Sequence, residues 1–194
     1  MKDLPFGFDV IEGSRLDRFD HHIERPLSTL KGLFADAQAY QRMLAEGDRM
    51  VYEVYEVRRP AKAGELLTGL SVVHPGRVGG EYFMTKGHYH LVRETAEIYY
   101  GVAGRGLLLM QEEGGGWAVE EFRPGRAVYV PPCWAHRSVN TGDEDLVTLF
   151  AYPGHAGHDY GAIEQCGFQK LVLRRDGEPQ LVDNAAWARA METR

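Results

Sequence analysis

Cysteine is scarce in this chain: Cys133 and Cys166 are the only two among 194 residues. They form no Cys-x-x-Cys motif, and one pair in a chain of this size is no disulfide framework, so both are read as free thiols. Blocks of lysine or arginine are missing as well, and the formal net charge is −6. That balance excludes nucleic acid and an acidic membrane surface as partners, because each needs a basic face. A small anionic substrate would need its charge compensated locally. No apolar run approaches the roughly 20 residues of a membrane span, and the opening Met1-Lys2-Asp3-Leu4-Pro5-Phe6-Gly7 lacks the apolar core of a signal peptide. The expected compartment is the cytoplasm. A glycine-rich phosphate loop, a repeat of fixed period and a linker are also absent, and one domain over residues 1–194 is expected.

What is present is an ordinary globular composition, 44% apolar and 26% charged. The first thirty residues carry short mixed fragments that fit irregular wrapping or a short edge strand. Residues 36–46 follow with an N-capping Asp36, good helix formers and Gly47 as the stop, which predicts a helix. The period then changes. Residues 50–57 are rich in Val and Tyr and read as strand, and further short strands are expected at 66–73, 81–85, 96–102, 106–110, 117–122, 126–130, 145–152 and 168–172. Many short strands separated by Gly and Pro imply an antiparallel sandwich or barrel. A second helix is expected over 183–192, with Trp187 and Met191 docking it on the sheet. The expected organisation is an N-terminal wrapping segment over 1–48, a barrel over 49–175 and that terminal helix.

Two blocks carry the chemistry. His88 and His90 are one residue apart, so on an extended strand both imidazoles leave the same face and can converge on one ion. Two carboxylates follow, Glu94 and Glu97. Glu97, Tyr99 and Gly101 alternate along one run, whereas Glu94 lies where the chain must turn, so strand register selects Glu97. His136, after Pro131 and Pro132, completes three imidazoles and one oxygen, a set that suits divalent iron, manganese or zinc. A lone His-x-His is more often two surface histidines, but its joint occurrence with a strand-borne Glu and a later His shifts the balance. His21, His22, His74 and His155 have no such context and read as surface or structural histidines. Tyr55, Tyr82 and Tyr100 read as sheet residues with surface hydroxyls, Trp134 as packing under the turn, and Cys133 as a buried thiol acting as a small apolar residue.

The blocks resemble the two cupin motifs, the first as His88, His90, Glu97 and Gly104, the second as Gly125, Pro131, His136 and Asn140. One departure is Cys133, where the general motif usually has Gly. Within the cupins, Thr-Lys-Gly-His-Tyr-His, Ala-Glu-Ile-Tyr, Pro-Pro-Cys-Trp-Ala-His-Arg and the stretch 152–161 resemble the metal-dependent, archaeal-type glucose-6-phosphate isomerases. The resemblance implies an all-β fold, an antiparallel double-stranded β-helix or jelly-roll barrel with a few peripheral helices. It implies one divalent ion per subunit, Fe2+ first, with Mn2+ or Zn2+ as alternatives, held by His88, His90, Glu97 and His136. By the same resemblance Tyr52, Ser71, Thr85, Gly87, Tyr99 and Tyr160 bind a sugar phosphate, Glu97, His158 and Tyr152 serve in catalysis, and the protein is a homodimer. Ser71 stands where the family often has Thr and keeps the hydroxyl. Hydroxyls and the Gly87 amide can bind phosphate without a phosphate loop.

The implied reaction moves hydrogen between C1 and C2 of a sugar phosphate, and a Lewis-acidic ion explains a metal without redox chemistry. A base acting through an enediol and a direct hydride shift both remain open. Glu97 is the natural base by position, although coordination lowers its basicity. Competing expectations are another metal-dependent cupin reaction, such as a dioxygenase, and a non-catalytic sugar-binding cupin.

Overall fold

The computed structural model describes residues 4–11 and 14–192. The chain start, Gly13 and the last two residues of the expected 1–194 domain lie outside them. Among the described residues, seventeen short strands and three helices follow in order. Two tiny strands, β1 (Val10–Ile11) and β2 (Arg15–Leu16), precede β3 (His21–Pro26). A 3-10 turn (Leu27–Leu30) leads to α1 (Ala37–Glu46), β4 (Met50–Val57) and β5 (Leu66–Val73). Then come β6 (Arg77–Val78), β7 (Glu81–Tyr82), β8 (Tyr89–His90), β9 (Glu97–Ala103), β10 (Gly106–Glu112), β11 (Trp117–Phe122) and β12 (Ala127–Val130). The chain continues with β13 (Trp134–Asn140), β14 (Leu146–Pro153), β15 (His158–Asp159), α2 (Gly161–Cys166), β16 (Lys170–Arg175), β17 (Glu178–Asp183) and α3 (Ala185–Glu192).

All the pairings are antiparallel. The larger wall is a six-stranded sheet in the order β12-β9-β14-β5-β4-β3. The facing wall is β11-β10-β13, extended at β13 by bridges from Met84 to Val139 and from His88 to His136. Alternation decides what lies between them: on β9, Glu97, Tyr99 and Gly101 are buried while Ile98 and Tyr100 face outward. Val51, Val73, Val128 and Phe150 from one wall meet Met84, Leu108, Met110 and Val139 from the other in the main core. Asp36 caps α1 by accepting from the Ala39 amide at 2.8 Å, and Tyr40 donates from α1 to the Leu27 carbonyl at 3.0 Å, which pins the amino-terminal segment to the barrel. This is the all-β antiparallel barrel with few helices that the strand pattern implies.

Several details differ from the sequence reading. β13, β17 and α2 went unread, β13 because both its faces are buried and the one carrying His136, Ser138 and Asn140 is polar, so no apolar alternation marks it. α3 begins at Ala185, with Asn184 accepting from the Ala186 amide at 3.0 Å, and it packs on α2. β3, expected at most as a short edge strand in a wrapping segment, is a full end strand of the six-stranded sheet. Tyr55 and Tyr82 are buried, not at the surface: Tyr55 lies on the outer face of the sheet beneath Leu16 and His22, and Tyr82 joins the main core. Tyr100 is exposed as expected. Cys133 is an exposed free thiol with φ 70°, which corrects its reading as a buried apolar residue. Among the described residues no helix is long and apolar enough to cross a membrane.

Candidate active site

The site lies between the two walls. His88 and His136 exchange backbone hydrogen bonds, at 3.3 and 3.1 Å, which sets their rings side by side with centroids 4.5 Å apart. His90 follows on β8, which pairs through His90 with His158 of β15, and Glu97 opens β9. One donor atom from each of His88, His90, Glu97 and His136 lies within 4.8 Å of all the others. Glu94 is exposed and takes no part.

The donor atoms are oriented as a metal requires. His90 Nδ1 is held by Thr95 Oγ1 at 2.8 Å and the Thr95 carbonyl at 3.1 Å, and His136 Nδ1 faces the Trp134 carbonyl at 3.5 Å. With the proton on Nδ1, each Nε2 offers a lone pair to the centre. His90 Nε2 and His136 Nε2 stand 3.0 and 2.9 Å from Glu97 Oε2. Nε2 of His88 is buried without a hydrogen-bond partner. Three imidazoles converging on one carboxylate, one of them with a buried, unpaired nitrogen, are what a divalent ion satisfies, so the residues fit a metal site. Burial alone would push the Glu97 carboxyl up, but the charge of His136 and the attraction of both imidazoles hold it at about 2. Burial, reinforced by His136, His158 and His90, keeps His88 well below the ordinary histidine value and therefore neutral, the form that binds a metal.

The remaining candidates surround this centre. His158 packs its ring 4.3 Å from His88, and its Nε2 is 3.2 Å from the Tyr152 hydroxyl. Burial lowers the His158 pKa, offset in part by Glu97 and Glu56. Tyr99 lies against His136, and Tyr160 stacks 5.8 Å from His158, with burial raising its hydroxyl to about 12. Tyr52, Ser71, Thr85 and Gly87 line the other end of the same pocket. Ser71 Oγ is buried without a partner, and Thr85 Oγ1 accepts from the Ser138 amide at 3.0 Å. Gly87 is required twice over: its φ is +76°, and a Cβ there would stand 2.5 Å from the Phe168 ring.

The pocket thus gathers the expected residues except His90, which joins the cluster of donors from behind the pocket lining. It also has walls that went unread: Ile23, Arg25, Val54, Glu56, Ser138 and Phe150. Part of that signal was available. Val54 and Glu56 continue the alternation from Tyr52 along β4, and Ile23 and Arg25 stand opposite Val54 and Tyr52 in the β3 to β4 register. Trp134 is half-buried against the core and is not among the pocket walls.

The sequence family described as "Glucose-6-phosphate isomerase (GPI)" matches residues 24–188. The glucose-6-phosphate isomerase of Thermococcus onnurineus is 50% identical over 185 residues, covering 95% of this chain and 93% of its own. That of Pyrococcus furiosus is 42% identical over 184 residues, covering 95% and 94%. Among solved structures, oxalate decarboxylase from Bacillus subtilis matches with a TM-score of 0.44 and 24% identity, over 55% of this chain and 26% of its own.

Proposed function

The chain belongs to the glucose-6-phosphate isomerase family, and from that premise we propose how its residues interconvert glucose 6-phosphate and fructose 6-phosphate. The observation that carries the reading is the convergence of His88, His90, Glu97 and His136 on one buried point, with the His88 ring nitrogen unsatisfied. These four residues hold one divalent ion, Fe2+ in the cell, and the same donors accept Mn2+ or Zn2+. The bound ion supplies Lewis acidity toward the sugar's carbonyl and adjacent hydroxyl.

The remaining work falls to side chains. His158 stays neutral at pH 7 because burial lowers its pKa, and it shares a hydrogen bond with Tyr152. That pair moves protons between the two sugar oxygens. Glu97 serves first as a ligand, because a carboxyl held at about 2 is a weak base. Tyr99 closes the wall beside His136, and Tyr52, Ser71, Thr85, the Gly87 amide and Tyr160 receive the phosphoryl end. Ser71 Oγ, buried without a partner, is a donor waiting for an acceptor.

The test is a coupled assay of fructose 6-phosphate conversion, run after chelation and after return of single divalent metals. Chelator-sensitive turnover restored by Fe2+ supports the reading. Turnover indifferent to chelator refutes the metal role, and no turnover with any metal refutes the isomerase reading.

A further inference from the structure

A sugar phosphate brings a charge of nearly −2 into a protein whose own net charge is −6, and the phosphoryl donors named above are all neutral. The pocket walls contain one basic side chain among the described residues, Arg25. It sits on β3 directly opposite Tyr52 of β4, and residues opposite each other on paired strands share a face. Tyr52 points inward, so Arg25 does too. Burial raises the pKa of the Tyr52 hydroxyl, and the nearby Arg25 charge opposes that rise. Nearby cations are already engaged. Lys86 is bound to Glu164, Arg58 bonds Glu56 at 2.7 Å, and Arg137 is buried behind the pocket with its NH2 group on the Lys86 carbonyl at 2.7 Å. Arg25 has no carboxylate within ion-pair distance among the described residues, and its guanidinium donates to the Glu24 carbonyl at 3.3 Å. Beside it, Ser71 Oγ is buried without a partner.

We infer that Arg25 is the charged anchor of the substrate's phosphoryl group, donating to its oxygens from the end strand while Tyr52, Ser71 and Tyr160 fix its orientation. This rests on the isomerase reading for the identity of the sugar but not for the anion. An arginine suits the task because its planar fork matches phosphate oxygens two at a time, which lysine cannot reproduce. Placed on β3, the end strand of the sheet, it is the basic side chain that the other pocket walls, which carry Glu56 and Glu97, do not supply.

The experiment compares wild type, Arg25→Gln and Arg25→Lys in two measurements. The first is steady-state conversion of fructose 6-phosphate by the metal-loaded enzyme. KM is expected to rise about 10- to 100-fold in Arg25→Gln, the range of a charge-assisted hydrogen bond, with the loss falling on KM more than on kcat and a smaller loss in Arg25→Lys. The second is calorimetric titration with inorganic phosphate at low salt, where Arg25→Gln should bind at least 10-fold more weakly than wild type. A KM and a phosphate affinity both within twofold of wild type, in variants that melt at the wild-type temperature, overturn the proposal. Should wild type fail to turn over the sugar, the isomerase reading falls, and the phosphate titration still decides on Arg25. Should Arg25→Gln fold poorly, Arg25→Lys decides: phosphate affinity and KM equal to wild type would show that a point charge is enough and overturn the bidentate role.

Discussion

At the residue scale, Cys133 is instructive. Its φ of 70° is the left-handed region, which costs a residue with a Cβ about 1–2 kcal/mol. Glycine avoids that cost, which is why the general motif carries Gly at this step. Cys133→Gly should therefore stabilise the fold, by about 0.5–1 kcal/mol once glycine's greater unfolded-state freedom is subtracted, and raise the melting temperature by a few degrees. A lowered melting temperature would contradict this. His158 makes the complementary prediction for turnover. His158→Gln should keep the metal, because it lies outside the four donors, yet lose about 10²–10⁴ in kcat, the usual worth of a positioned proton carrier; metal analysis beside the coupled assay separates the two effects. The metal donors were legible in the sequence because one period-2 rule places His88 with His90 and another selects Glu97. Arg25 was not legible. Its role depends on which strand lies beside β4, and that partnership spans a helix and a 3-10 turn that no local pattern encodes.

At the scale of elements, β13 shows what propensity misses. Its Trp-Ala-His-Arg-Ser-Val-Asn sequence shows no apolar alternation because both faces are buried, one with Ala135 and Val139 and the other with His136, Ser138 and Asn140 on polar work. Asn140, fully buried at its end, donates to the Val73 carbonyl at 2.7 Å and the Glu144 carbonyl at 2.8 Å, and accepts from the Gly142 amide at 2.9 Å. One side chain thereby ties β13 to β5 and closes the turn into β14. Asn140→Ala removes three hydrogen bonds and strands buried partners, so a loss of about 2–4 kcal/mol is expected, measurable by chemical denaturation. The outer side of β9 and β12 carries a different message. Ile98, Tyr100 and Tyr129 are exposed together on the wall opposite the metal, and β12 is the end strand of its sheet. A second copy of the chain, pairing edge to edge about a two-fold axis, would cover them and give the homodimer implied by the cupin resemblance. Tyr129→Glu should then shift sedimentation from dimer to monomer; a wild-type monomer at micromolar concentration would remove the basis for it.

For the molecule as a whole, the metal centre should govern stability as well as turnover, and pH should reveal it. In the metal-free protein His88 is held neutral, with a pKa well below 6.5, by burial and its imidazole neighbours, and Glu97 is held ionised at about 2 against an ordinary 4.5. Both shifts are downward, so each group's contribution is complete above its unfolded value. The His88 contribution begins to fall below about pH 6.5, and the Glu97 contribution below about pH 4.5, each ending once its folded value is passed. A metal that binds only the folded protein adds about 2.7 kcal/mol at 100 times its dissociation constant, and for a chain of this length each kcal/mol moves the melting temperature by about 2–4 °C. Saturation at pH 7.5 should thus raise it by roughly 5–11 °C. Protons compete for the same nitrogens, so the metal-induced gain should shrink steadily between pH 7 and pH 5 while the metal-free curve itself declines. Melting curves with and without Mn2+ across that range check both slopes. A metal-induced shift independent of pH would mean that the ion sits on ligands other than these histidines.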